Sequence, residues 1–282
     1  MKYIRSIALL VILLGIGIAR PALAVVGDAT GLFTITKTGF VLNRATNTFD
    51  TTVSIKNVSP FTVSAPIQLT VSGLPSGVTL ANAAGTTQGK PYVNVTVPGN
   101  KIIPNAIVTS ILLKFANPAR IALAPALSVY GDIPQAAVGL PPDPGAAGMA
   151  TVEGTDLNGN GVRDDVERWI AFNYPSSEKT RAALYQQTSA NQLLLFAGKN
   201  KDSAAALSAS AQDDNANACL IYILGVDQRI AVGRTLFAEM LNTRARNSAY
   251  LDYNDLLRGK VLGSGPLNKK DGCAFDPDLM RN

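Results

Sequence analysis

A chain of 282 residues with 25 basic and 20 acidic side chains is long enough for two ordinary domains, each burying a core of its own. The basic residues form no cluster able to track a phosphate backbone, which argues against a nucleic-acid partner. The absence of any histidine excludes Ser-His-Asp and Cys-His catalysis and the zinc proteases built on paired imidazoles.

Residues 1–24 have the form of a secretory leader. Lys2 and Arg5 supply a positive start, the stretch from Ser6 to Ala19 is apolar but short for a bilayer, and Ala22-Leu23-Ala24 forms a small-x-small cleavage site. With Lys2, Arg5 and Arg20 removed, the mature charge is nearly balanced. No later segment is apolar enough to cross a membrane, so the expected location is secreted or periplasmic.

From Thr30 to about Gly131 apolar and polar residues alternate in short bursts. Val53 and Ile55 share a face, as do Ile67, Leu69 and Val71, then Val93, Val95 and Val97, and then Ile111, Leu113 and Phe115. Turn stretches such as LPSG, NAAG and VPGN separate these runs. Period-two alternation in Val-, Ile- and Thr-rich runs predicts an antiparallel sheet of about seven strands, the number of an immunoglobulin-like or fibronectin-like β-sandwich. Over residues 25–132 the segment resembles the immunoglobulin-like modules of exported bacterial proteins, although it lacks the Cys…Trp…Cys pattern of antibody domains. That resemblance implies a fold and no activity.

Residues 133–154 (IPQAAVGLPPDPGAAGMATVEG) are dense in Pro, Gly and Ala and are expected to bury little and act as a linker. Beyond them the period changes. Val166 and Ile170 lie four apart beside Trp169, and Val232, Leu236 and Met240 follow at i+4 steps. Residues 155–282 are therefore expected to fold as a small all-α domain of roughly four or five helices. Helix starts are predicted near Ser176 and near Asn247 or Ser248. The Ala/Ser-rich stretch from Asp202 fits either a helix start or a loose surface segment. Cys219 and Cys273, in an exported chain, favour a disulfide closing a loop of some 50 residues, worth about 4 kcal/mol in the chain-entropy model; two buried free thiols are the alternative.

Between linker and helices stands DLNGNGVRDDVE, Asp156 to Glu167. A twelve-residue calcium loop needs oxygen ligands at positions 1, 3, 5, 7, 9 and 12 and a glycine at 6 for the sharp turn. Asp156, Asn158, Asn160, the Val162 carbonyl, Asp164 and Glu167 fill the ligand positions, and Gly161 the turn. The loop and its outgoing helix resemble the EF-hand family, in the dockerin-like half-hand form of exported bacterial proteins. By that resemblance Asp156, Asn158 and Asn160 each give one side-chain oxygen to Ca2+. Asp164 acts directly or through water, and Glu167 clasps the ion with both oxygens. The match has departures: no entering helix is expected before the loop, no second loop pairs with it, and Arg163 stands at position 8 where paired hands place an apolar residue. The competing reading is a polar turn whose oxygens bond their own backbone and cap the next helix.

Two functions follow. One is an exported calcium-binding structural or interaction protein whose partner is a cell-envelope protein or a polysaccharide. The other is a carboxylate-based polysaccharide hydrolase with an accessory β-sandwich, its acids drawn from Asp213 and Asp214, Glu239, Asp252 and Asp255, or Asp276 and Asp278. No nucleophile motif accompanies those acids, which favours the first reading and a chain that is not an enzyme.

Overall fold

A computed structural model describes residues 24–263, 265–266 and 269–282, with side-chain burial from Val26 onward. The expected leader lies outside these residues apart from Ala24, which opens the first strand. The fold is mixed, with strands leading and helices following along the chain. The strands are β1 (Ala24–Asp28), β2 (Phe33–Lys37), β3 (Val41–Asn43), β4 (Thr48–Asn57), β5 (Val63–Ser72), β6 (Thr79–Leu80), β7 (Gly85–Thr87), β8 (Lys90–Asn94), β9 (Lys101–Ile102), β10 (Ile107–Ala116) and β11 (Ala126–Pro134).

They form two antiparallel sheets. One runs β1-β11-β5-β8-β7 with β9 beside β5; the other runs β2-β4-β10-β6 with β3 beside β4. There are eleven strands among the described residues rather than about seven, because β3, β6, β7 and β9 are edge pieces too short to leave an alternating signal. The long strands keep the predicted faces: Val53, Ile55, Leu69, Val71, Leu113 and Phe115 are all buried in one core to which both sheets contribute. Register places Val53 opposite Ile111 and Leu69 opposite Val129, so the inward positions coincide across each ladder. Asn57 ends β4 by donating to the Phe61 and Ile102 carbonyls at 2.7 and 3.1 Å, which fixes the turn that presents Phe61 to the helices.

The Pro/Gly/Ala segment, expected to bury little, is exposed over more than half of its residues, while several others pack. Ala136, Ala137 and Leu140 join the β core, and Val152 joins the helical one. Small side chains let this backbone lie directly on its neighbours: a Cβ added at Gly31 would stand 1.9 Å from the Leu140 carbonyl oxygen.

The helices are α1 (Gly145–Gly148, a single turn), α2 (Asp164–Asn173), α3 (Glu178–Asn200), α4 (Ser203–Leu224), α5 (Val226–Met240) and α6 (Arg244–Leu256). The Ala/Ser-rich stretch is helical throughout, started by Asp202, whose carboxylate accepts from the Ala204 and Ala205 N–H groups at 2.9 and 3.0 Å. Two predicted starts move. Ser177 rather than Ser176 caps α3. Thr243 caps α6 one turn before Asn247, which lies inside the helix and spends its amide on the Leu241 and Thr243 carbonyls. Val166, Ile170, Leu184, Leu195, Leu220, Leu236 and Met240 form the helical core. Gly198 lets α3 meet α6 backbone to backbone, since a Cβ there would lie 1.8 Å from the Ala249 carbonyl oxygen. The cysteines are paired, and the Cys219–Cys273 bridge ties the C-terminal tail to α4. Gln186 grips the same tail, donating to the Gly272 carbonyl at 2.7 Å and accepting from the Ala274 N–H at 2.9 Å.

Candidate metal centre

The loop from Asp156 to Glu167 closes on itself through its own polar side chains. Asp156 accepts from the Asn160 N–H at 3.2 Å and from the Gly161 N–H at 2.9 Å. Asn158 Oδ1 accepts from the Asn160 N–H at 3.2 Å, and Asn160 Oδ1 from the Val162 N–H at 2.8 Å. Gly161 adopts φ +80°, a left-handed conformation that side chains resist, and so supplies the tight turn at position 6. The Ser189 hydroxyl of α3 donates to the Gly161 carbonyl at 3.3 Å and holds the loop against the helices. The base is shut by the Asp164 N–H, which donates to the Thr155 carbonyl at 2.8 Å.

Glu167 lies one turn into α2 and points back at the loop, where the Asn158 amide donates to its two oxygens at 3.4 and 3.1 Å. Asp164 is fully buried. Its Oδ1 accepts from the Leu157 N–H at 3.0 Å, while its Oδ2 has no hydrogen-bond partner among the described residues. Burial raises the pKa of Asp164, and the charges of Asp156 and Asp165 raise it further against the opposing Leu157 N–H. Burial likewise raises Glu167, reinforced by Asp164 and Asp156 and opposed by the Asn158 and Asn160 amides. Five of the six expected ligand residues thus interact with one another. Val162 takes part through its N–H and a buried side chain, so its carbonyl enters on resemblance alone.

The three carboxylates do not close into a ligand set by themselves. No group of three or more His, Cys, Asp or Glu side chains among the described residues is arranged to hold an ion. The reason is visible in the bonds above: Asp156 is turned onto backbone N–H groups, and Glu167 onto an amide. A purely self-bonded turn accounts for Asp156, Asn158 and Asn160. It gives no reason for a buried, half-unpartnered carboxylate at Asp164, nor for Glu167 facing inward.

Arg163, the departure at position 8, is buried rather than solvated. It makes a two-pronged contact with Asp165, 2.9 Å on each arm, and donates to the Met240 and Glu239 carbonyls at 3.1 and 2.9 Å, closing the C-terminus of α5. Arg246 of α6 lies beside it, fully buried, donating to Asn242 and to the Gly148 carbonyl at 2.5 Å each, with Asp165 at 3.9 Å. Burial and the adjoining Arg163 charge pull Arg246 down to about 10. One turn further along α2, Arg168 donates to the Gly31 carbonyl and, at 2.9 Å, to that of Pro141, and lies 5.0 Å above the Phe172 ring. Phe172 in turn meets Phe61 edge-on at 5.4 Å. Sequence reasoning missed all three arginines as structural anchors. For Arg163 and Arg168 the signal is the density of charge in a helix start that also carries Val166 and Ile170; Arg246, on α6, has no such signal.

The candidate acids of the hydrolytic alternative sit in separate surroundings, except that Asp276 and Asp278 share one lysine. Asp213 and Asp214 line different cavities, Asp255 pairs with Arg258, and Asp276 and Asp278 both pair with Lys270. No family model matches the chain, and neither curated proteins nor solved structures give a match, so function is read from this loop and its surroundings.

Proposed function

We propose that Asp156–Glu167 is a calcium loop of the dockerin-like half-hand type. In this reading it orders the start of α2 in an exported structural or interaction protein built from an immunoglobulin-like β-sandwich (25–132) and a helical domain (155–282). The observation that carries the proposal is the Asp164 carboxylate, fully buried, with one oxygen unpartnered and two further acids close enough to raise its pKa. A buried anion of this kind is costly unless a cation or a proton compensates it.

Asp156, Asn158, Asn160, Asp164 and Glu167 are the side chains that would hold the ion. Asn158 fits because its amide, which now donates to Glu167, also carries an oxygen that a cation can use. Bound Ca2+ supplies the positive charge that these acids lack. The chain's own residues do the rest. Gly161 makes the turn, Ser189 pins the loop to α3, and the Thr155 carbonyl holds the N–H of Asp164. Ordering the loop sets the angle of α2, whose Arg168 and Phe172 rest on the β region while Val166 and Ile170 enter the helical core. Three acids and a single loop place the dissociation constant on the order of 10⁻⁴ M, the regime of extracellular modules.

The disulfide supports export to an oxidising compartment. No helix among the described residues is long and apolar enough to cross a membrane. The partner, in this reading, is a cell-envelope protein or a polysaccharide. Calorimetric titration of Ca2+ into the mature chain tests the loop: heat is expected for the parent and none for Asp156→Ala or Glu167→Gln. Equal heats in all three would remove the loop from the account.

A further inference from the structure

A second site lies away from the loop, in a cavity of about 320 Å³ between α3, α4, α5 and α6, within the size range of small-molecule sites. The N-terminal half of α5 packs loosely, with Val226 and Ile230 exposed and its buried anchors, Leu236 and Met240, confined to the other end. The cavity opens where that half stands off from α3 and α4.

Its lining is polar on one side and aromatic on the other. Gln187 donates to Asn191 at 3.1 Å and to Asp213 at 2.5 Å, leaving its own buried Oε1 without a donor. Arg229 donates through Nη2 to Asn217, leaving its buried Nε–H without an acceptor. Asp213 and Arg229 are thus each bonded to an amide rather than to one another. Arg234 adds a second cation at the rim, and Phe237 and Tyr250, edge to face at 4.8 Å, close the apolar wall.

The side chains that line the cavity define the chemistry it would accept. Two guanidinium groups, those of Arg229 and Arg234, favour a planar anion. The amide of Gln187 and the carboxylate of Asp213 suit hydroxyl groups, which both donate and accept. The aromatic wall takes the C–H face of a ring. We propose that this cavity binds a small hydroxylated carboxylate of the sugar-acid class, with Arg229 on the carboxylate and Gln187 and Asp213 on ring hydroxyls.

The test is calorimetry of the mature chain with D-galacturonate and D-glucuronate, alongside D-galactose and acetate as the two halves of the ligand. At least one uronate is expected to bind about tenfold or more tightly than galactose or acetate. Arg229→Met, which keeps the aliphatic stem, is expected to erase that preference, and Gln187→Met to weaken uronate binding about tenfold. Circular dichroism of both variants confirms folding, and Asp213→Asn provides a third, partly exposed position at which a loss of affinity is expected. Silence with every ligand at millimolar concentration, equal affinity for galactose and galacturonate, or uronate binding unchanged in Arg229→Met would each overturn the assignment. Because none of these readouts involves Ca2+, failure here leaves the calcium loop untouched, and the reverse holds equally.

Discussion

Two charge clusters meet at the start of α2 and are built on opposite terms. On the loop side Asp156, Asp164 and Glu167 gather with no basic side chain among the described residues hydrogen-bonded to them, although the charge of Arg168 acts on Asp164; on the other side Arg163 and Arg246 share the carboxylate of Asp165. Residues 163, 164 and 165 are consecutive, yet Arg163 turns away from Asp164 to the carbonyls that end α5. An internal ion pair with Asp164 is thus forgone. The acidic side is left short of positive charge, while the basic side is satisfied by carbonyls, an amide and one acid. A compensated cluster is an anchor, and an uncompensated one marks a place where something else is to bind.

The comparison breaks most visibly at Arg163. Replacing it by Ala leaves Asp165 without its principal partner and two carbonyls without a donor, and is expected to cost about 3–5 kcal/mol in urea unfolding. A loss below 1 kcal/mol would show that the basic cluster is not the anchor described. Saturation with Ca2+ at ten times its dissociation constant should add about 1.4 kcal/mol to the parent and nothing to Glu167→Gln, read by calorimetric unfolding.

Asp164→Asn tests the acidic side directly. Removing a buried charge while keeping an acceptor for the Leu157 N–H is expected to raise calcium-free stability by on the order of 1 kcal/mol and to abolish the response to Ca2+. Acid sharpens the contrast at the smallest scale. Asp164 and Glu167 have folded pKa values raised above the ordinary carboxylate range. The folded state therefore holds the extra protons, and calcium-free stability rises as pH falls through those raised values toward the unfolded ones. Calcium must displace the same protons, so its affinity weakens over that window. Asp165 runs the other way. Burial would raise it, but the Arg163 fork, then Asn242 and Arg246, hold it lowered. Its contribution is complete above the unfolded carboxylate value and is lost as pH falls through the lowered folded one. Calcium titrations and urea melts across the acid range, with Asp165→Asn as reference, separate the two clusters.

How far the fold can be read from sequence depends on whether a signal is local. Val53 and Ile55, or Leu113 and Phe115, declare their faces because a strand's period is two and both sheets bury one side. Gly161 is legible because its positive φ is demanded within the loop itself. The packing of Ala136, Ala137, Leu140 and Val152 is not legible, since the Pro/Gly/Ala stretch around them gives no amphipathic period and what receives them is a distant surface. Arg163 looked like a departure from a pattern because its acceptors, Glu239 and Met240, stand far along the chain. The cavity of Gln187, Asp213, Arg229 and Tyr250 draws on four helices, and spacing within any one of them carries no trace of it.

The seat of Arg168 governs how this chain can be divided. Its guanidinium is nearly enclosed, and the carbonyls that receive it, those of Gly31 and Pro141, lie upstream of the loop. A fragment beginning at the loop would keep the cation and lose both acceptors, and would uncover Ala171 and Phe172 as well. Truncation there yields a sticky, destabilised piece, so work on the helical half is better done with the upstream residues left in place.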